Sequence, residues 1–178
     1  IGLVEKERTV HARTRSIGHL SLEQVRKYCV VGPVARASGL DVDLRRDQPR
    51  PPYDRLDFKV PIHTDGDVWA RTLVRVQETV ESLNLCRQIL TSLPEGPVST
   101  RARRRVPAGK AVSRSEAPRG EVIYYIRSDG SDTPARVKIR TPTLTGLITL
   151  PTQLQDVSMA DVSVVLSGVD LCIACADR

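Results

Sequence analysis

The segment between Asp65-Gly66-Asp67 and Pro94 constrains this chain more than any other. Trp69, Leu73, Val76, Val80, Leu83 and Leu90 recur there at helical spacing, which puts them on one stripe of an α-helix about six turns long. Asp65 or Asp67 can cap its first turn and complement the helix dipole, and Pro94, which lacks an amide proton, ends it. A helix of that length with a single apolar stripe is expected to pack against other helices, as in a bundle.

The flanking elements are shorter. Residues 11–20 lead into a helix that begins at Ser21, where Ser21 and Gln24 make a capping-box pattern and Leu22, Val25 and Tyr28 share a face. Gly32-Pro33 should stop it near Val31. Residues 34–61 are rich in turn formers, including Pro49, Pro51 and Pro52, and the best element there is a small strand over 56–60. After the long helix, residues 121–127 and 135–141 are β-branched and aromatic runs on either side of Ser128-Asp129-Gly130-Ser131-Asp132, a hairpin pattern. Pro142 and Thr143 close the second strand. A helical stretch over 144–154, kinked at Pro151, leads to another over 159–166 that Gly168 ends. The expected fold class is α+β, mainly helical, with a long bundle helix and a β-hairpin, in one unit spanning 1–178.

Composition narrows the functional classes. Hydrophobic residues are 40% of the 178, enough for a core, but aromatics are only 3%, so Leu, Val and Ile must fill it. No apolar run approaches the roughly 20 residues that cross a bilayer. The net charge of +6 is concentrated in one place: Arg101, Arg103, Arg104, Arg105, Lys110 and Arg114 face only Glu95 across residues 94–114. Nucleic-acid surfaces usually spread their cations along a face, often with aromatics for stacking. Here they crowd into a Pro/Gly/Ser-rich stretch without an aromatic. Residues 94–115 are therefore read as a flexible, solvated basic loop, with docking to an acidic partner or a membrane surface as the alternative, and no nucleic-acid partner is expected. The chain opens at Ile1 without an initiator Met or a signal-peptide pattern, and is read as a fragment, a processed product or one piece of a split protein.

The last nine residues carry the chemistry: Asp170-Leu171-Cys172-Ile173-Ala174-Cys175-Ala176-Asp177-Arg178. Two cysteines three apart can place both sulfurs on one metal. Such a pair reads as zinc ligation, a redox dithiol or half of a larger metal site. A zinc site needs two more ligands, and Cys29, Cys86, His11, His19 and His63 show no paired spacing. Cys29 and Cys86 are expected to be small buried residues, and His63 an ordinary loop histidine. A thioredoxin-type dithiol would follow a strand near the start of a βαβ unit, not sit in this tail. Four cysteines without regular spacing make no disulfide framework and favour a reducing cytosol. Half of a larger site is the reading that survives.

The ending Asp-x-Cys-x-x-Cys-x-x-Arg resembles the carboxyl terminus of nickel–iron hydrogenase large subunits. Other blocks resemble the branch shared by energy-converting, membrane-associated hydrogenases and the quinone-module large subunit of respiratory complex I. These are Gly32-Pro33-Val34-Ala35-Arg36-Ala37-Ser38-Gly39, Asp43-Leu44-Arg45-Arg46-Asp47, Tyr53-Asp54-Arg55-Leu56-Asp57-Phe58, Gly66-Asp67-Val68-Trp69-Ala70-Arg71 and Glu116-Ala117-Pro118-Arg119-Gly120. The complex I relatives lack terminal nickel-ligating cysteines, so Cys172 and Cys175 tip the resemblance to the hydrogenase side.

That resemblance implies a role for each residue. Cys172 would be a terminal nickel ligand and Cys175 a bridge between nickel and iron, in a Ni-Fe centre whose iron carries carbon monoxide (CO) and cyanide. The soft thiolates suit nickel. Arg119 would hang its guanidinium over the open position between the metals, and Asp170 would hold Arg119 in place or accept hydrogen bonds near the centre, a helix-end cap being its plain alternative. Pro142 and Thr143 match the lining of the cyanide ligands, with Thr143 donating a hydrogen bond or simply capping a helix. Arg36, Asp41, Asp43 and Asp47 suit either an electron-transfer contact or structural ion pairs.

The implied partners are an amino-terminal large-subunit segment with a second CxxC, an iron–sulfur small subunit carrying an iron–sulfur cluster, membrane ion-translocating subunits and ferredoxin. The implied place is the cytoplasmic face of the membrane, peripherally. This chain has no second CxxC, lacks the family's amino-terminal glutamate region, and has Leu171 where relatives commonly have Pro. A complex I-like subunit without nickel, or a non-catalytic zinc-binding interaction domain, are the alternative functions.

Overall fold

A computed structural model describes residues 7–101 and 105–177. It is a mixed α+β fold, mostly helical. In chain order the helices are α1 (Arg8–Thr14), α2 (Leu22–Lys27), α3 (Pro33–Arg36), α4 (Leu44–Asp47) and the long α5 (Val68–Thr91). Strands β1 (Gly109–Ala117), β2 (Gly120–Ser128) and β3 (Arg136–Arg140) follow, then α6 (Pro142–Ile148), α7 (Leu150–Gln153), α8 (Val162–Val169) and α9 (Ile173–Ala176). Among the described residues no helix is long and apolar enough to cross a membrane.

Helix starts follow their caps. Ser21 and Gln24 form the reciprocal capping box at the head of α2. α2 stops earlier than expected, at Lys27, because Cys29 turns the backbone left-handed at φ 52°. Asp67, not Asp65, caps α5, its carboxylate accepting from the Ala70 amide at 2.8 Å. The kink expected at Pro151 is a break one residue wide at Thr149, with Pro151 in the first turn of α7. Gly168 does not end the helix before it. It lies inside α8, where an added Cβ would sit 3.0 Å from Val68 Cγ2, and Asp170 in the left-handed region is the stop.

The inward face of α5 corrects the expected stripe. Of the six apolar positions only Trp69 is buried; Leu73 and Val76 are half-buried, and Val80, Leu83 and Leu90 are exposed. The inward face is Ala70, Arg71, Val74, Glu78, Glu81 and Leu85. Much of it is polar because α5 is the post to which surrounding loops are tied. Arg71 donates to the carbonyls of Gly18 and Gly66 and to Gln153, and Gln77 bonds His63. Gln88 accepts from the Asp57 amide and donates to its carbonyl, and Glu81 accepts from the Lys59 amide. Those last bonds explain why residues 56–60 form no strand: the extended segment lies along α5 and bonds its side chains instead of a neighbouring strand.

α1, α3 and α8 pack against α5. A small apolar core of Leu20, Val25, Val30, Val34 and Ala35 lies beside it, and Ala37 joins Ala70 and Val74 in a second cluster.

The sheet has three antiparallel strands in the order β1-β2-β3. β2 and β3 fulfil the hairpin, while β1 occupies the second part of the segment read as a basic loop. Arg103 and Arg104 lie outside the described residues. Cys29 and Cys86, expected inside, are both exposed, and no disulfide forms among the four cysteines, all of them described residues.

Candidate functional site

Arg119 sits at the tip of the tightest connection in the sheet. Ala117 pairs with Gly120, so β1 and β2 are joined by Pro118-Arg119 alone. The turn is seated against the start of α3 so closely that side chains are excluded. A Cβ on Gly32 would fall 2.2 Å from the Arg119 carbonyl oxygen, and one on Gly120 2.7 Å from the Gly32 amide nitrogen. Both glycines also have positive φ, +74° and +124°. The block carrying Arg119 and the block carrying Gly32 are therefore one interlocked unit.

The guanidinium of Arg119 points to the other end of the chain. Its Nε donates to the Asp170 carbonyl at 2.8 Å and Nη2 to the Asp170 carboxylate at 3.1 Å. Asp170, at φ 57° and ψ 60°, is also the left-handed residue closing α8, so helix cap and arginine holder coincide. Arg75 reaches across from α5, donating to the Gly168 carbonyl at 2.8 Å with Nε 4.0 Å from the second Asp170 oxygen. The acids nearest Arg119 in the chain are paired elsewhere: Glu116 with Arg36, and Glu121 with Arg114 and Arg140.

Two residues beyond Asp170 the chain reaches Cys172, the N-cap of the one-turn helix α9. The Cys175 amide donates to the Cys172 carbonyl at 3.0 Å, and Thr141 at the end of β3 donates its hydroxyl to the Cys175 carbonyl at 2.7 Å. Both cysteines are half-buried. The Cys172 thiol is held below its ordinary range, first by a hydrogen bond with the Cys175 side chain, then by the Cys175 amide, with the Arg119 charge adding to both. Pro142 and Thr143 open α6, which packs on α9. Thr143 is 4% exposed, caps nothing, and its hydroxyl has no hydrogen-bond partner among the described residues.

A charged cluster lies behind this site. Arg36, 1% exposed, donates to Glu78 (2.8 Å), Glu116 (2.9 Å) and the Val42 carbonyl (3.0 Å), with Asp43 at 3.5 Å. Arg36 and Asp43 are thus structural ion-pair residues. Asp41 and Asp47 pair with Arg46 at the surface. Burial pushes the Glu78 and Glu116 carboxyls above their usual range despite Arg36. A solvent-open cavity of about 450 Å³ runs from this cluster, past Arg75, to Asp170. Glu78 and Arg75 gave no sequence signal as site residues, since on a helical wheel they read as ordinary solvated charges. Buried Arg71, with Nε unpaired among the described residues, is pulled down to about 10 by burial.

Comparison with known proteins places the chain. The family described as "Respiratory-chain NADH dehydrogenase, 49 Kd subunit" matches residues 2–105 and 100–178. The chain belongs to this family. It is 40% identical over 178 residues to the carbon monoxide-induced hydrogenase of Rhodospirillum rubrum, covering 100% of this chain and 49% of that protein. It is 39% identical over 183 residues to an NADH-quinone oxidoreductase subunit of Herpetosiphon aurantiacus, covering 99% and 50%. It is 38% identical over 168 residues to an NADH-quinone oxidoreductase subunit of Bacillus thuringiensis, covering 93% and 46%. The chain spans about half the length of the curated relatives it matches.

The residues present fit part of a metal centre. Two soft sulfur donors lie three apart, one drawn toward thiolate, beside an arginine and a buried hydroxyl that lacks a partner. Among the described residues no group of three or more His, Cys, Asp or Glu is arranged to hold a metal ion. Cys172 and Cys175 can therefore be two ligands of a centre completed from elsewhere.

Proposed function

We propose that this chain is the carboxyl-terminal part of a nickel–iron hydrogenase large subunit of the energy-converting kind, supplying Cys172 and Cys175 to a Ni-Fe centre. The observation carrying this is the coupling of Arg119 to Asp170, two residues before the cysteine pair, so that a fixed cation and two thiols share one corner of the fold. When bound, the centre would supply the reversible conversion of hydrogen into protons and electrons.

The chain's own residues do the rest. Cys172 and Cys175 would hold the metals through their thiolates. Arg119, oriented by Asp170, sets a positive field over them. Thr143, whose buried hydroxyl has no partner among the described residues, and Pro142 beside it in the chain would line the side of the centre that carries the iron's ligands. The other two thiolates would come from a CxxC in the half of the relatives' length that this chain does not span. An iron–sulfur small subunit would carry electrons to ferredoxin, and membrane subunits would couple the reaction to ion movement, placing the assembly on the cytoplasmic face of the membrane.

The test is metal analysis and infrared spectroscopy of the native assembly. Nickel and iron in comparable amounts, with bands of metal-bound carbon monoxide and cyanide, are the expected result. A second reading, a complex I-like NADH-quinone oxidoreductase subunit without nickel, is favoured by the relatives of that name at 38–39% identity. An assembly that reduces quinone and contains no nickel would establish it. Zinc alone would point instead to an interaction module.

A further inference from the structure

The three-stranded sheet carries a charge pattern that the site leaves unexplained. Lys110 lies directly opposite Arg127, and Arg127 directly opposite Arg136. Directly paired residues share a face, so three cations form one row across three strands. Like charges in that position repel and weaken the sheet. Two residues along, Lys138 follows Tyr125 and Val112 on the same face. Arg114 and Arg140 at the inner end are compensated by Glu121. Lys110, Arg127, Arg136 and Lys138 have no ion pair among the described residues. The Asp129 charge reaches Arg127 without forming an ion pair with it, and the Asp129 carboxylate also accepts from the Ser131 amide at 3.0 Å. The opposite face of the same strands bears Tyr124, Ile126 and Val137, each about two-fifths exposed. The arm is fixed to the body at its inner end, through Glu116 and through Arg140 donating to the Cys29 carbonyl.

We infer that this sheet is a docking arm for an acidic segment of a partner protein, with the row Lys110–Arg127–Arg136 as its electrostatic contact. Complementary carboxylates would turn the repulsion into attraction, and side chains on adjacent strands stand close enough for neighbouring carboxylates of one segment to meet them in rank. A protein can close around both faces of such an arm. A lipid headgroup plane would meet only the basic face and leave Tyr124, Ile126 and Val137 in water, so the acidic protein is the occupant argued for. The docking rests on the multi-subunit part of the proposed function and not on nickel. A metal-free assembly would sink the hydrogenase assignment and leave the arm untouched.

The test is zero-length carbodiimide cross-linking of the intact assembly, read by peptide mass spectrometry. Lys110 or Lys138 should be joined to an Asp or Glu of another subunit, in a yield that falls as salt is raised. Replacing Lys110, Arg127 and Arg136 together by Gln should weaken attachment roughly ten- to hundredfold. The same change should leave the unfolding temperature of the subunit equal or higher, since the repulsion is gone. Two lysines that react equally in the assembly and in the separated chain would overturn the inference. So would a Gln variant that assembles with unchanged affinity. Binding to phosphatidylglycerol–phosphatidylcholine vesicles that the Gln variant loses, with assembly intact, would assign the face to lipid and overturn it as well.

Discussion

Replacing Arg36 by Met tests the charged cluster most directly. Arg36 is the only cation touching both Glu78 and Glu116 among the described residues, and its three carboxylate neighbours, Asp43 included, are themselves 14% exposed or less. Met keeps the stem volume and removes the charge. Asp43 retains Arg45 at 2.6 Å, while Glu78 and Glu116 lose their direct ion-pair partner among the described residues and keep only the more distant charge of Arg45. Breaking one side of a buried pair costs about 3–5 kcal/mol. For a chain of this size that corresponds to a fall of about 6–20 °C in unfolding temperature.

The pH dependence has a definite sign. Burial already raises both carboxyls above their unfolded value of 4.5. The folded form therefore binds more protons than the unfolded one from that value upward, and stability falls as pH rises through the window. Arg36 holds both carboxyls down and limits that loss. Its removal should make the deficit larger at about pH 8 than at about pH 5, where protonation neutralises the orphaned acids. Adding Glu78→Gln should recover part of the loss, giving a non-zero coupling in a double-mutant cycle. Thermal unfolding at the two pH values is the assay. A shift below about 3 °C with no pH dependence would mean the cluster is solvated and the account of it wrong.

Three further outcomes are expected. In the proposed metal-loaded assembly Arg119→Lys should retain metal and lose most turnover, because a flexible ammonium does not reproduce the planar fork that meets the Asp170 carbonyl and carboxylate through two different nitrogens; unchanged hydrogen oxidation would remove Arg119 from the mechanism. Thr143→Val deletes a buried hydroxyl without a partner among the described residues and should be neutral or stabilising by up to about 1 kcal/mol in metal-free chain. In the loaded enzyme it should shift the cyanide bands, and a clear destabilisation without metal would show that the hydroxyl is bonded within the protein. Gly32→Ala should cost at least about 3 kcal/mol, since its Cβ would meet the Arg119 backbone and its φ is positive; urea unfolding measures this, and near-wild-type stability would contradict the interlock.

What was legible in the sequence was local chemistry. Ser21 with Gln24 and Asp67 before α5 act through hydrogen bonds to amides three residues away, so their patterns read directly. The hairpin of β2 and β3 announced itself through β-branched runs around Gly130. β1 did not, because Lys110, Ser113, Arg114 and Ser115 give it no buried face to alternate with; its pairing with β2 is what makes it a strand. The helical period of α5 was right and its inward face wrong, since the side that binds loops is the one with Arg71, Gln77, Glu78 and Gln88. A free thiol's apolar character does not place Cys29 and Cys86 in the core; both are exposed, and Cys29 turns the chain left-handed just beyond the end of α2. The tail is legible by its cysteine spacing, whereas the link of Asp170 to Arg119, 51 positions apart, is legible only through the family resemblance, since no local pattern joins the two.

The electrostatic arrangement separates Arg119 from Arg36 and bears on the role proposed for Arg119. Cations and carboxylates alternate from the interior outward: Arg36 with Glu78, Arg75 beside Asp170, Asp170 with Arg119. Side-chain exposure rises along the same line, from 1% at Arg36 through 26% at Arg75 to 31% at Arg119. At the inner end the guanidinium is surrounded by three carboxylates and a carbonyl, so its donors are spent and its charge is cancelled. At the outer end Arg119 gives two donors to Asp170, and its remaining guanidinium protons have no hydrogen-bond partner among the described residues. Two residues along the chain from Asp170 is Cys172, whose thiol is held down first by Cys175 and then by the Arg119 charge. The buried end fixes the position of the turn through Glu116 and the Gly32 contact; the exposed end carries an oriented, incompletely engaged cation. Orientation without saturation is the condition for a charge to stabilise whatever forms beside it, and here it occurs next to the cysteine pair.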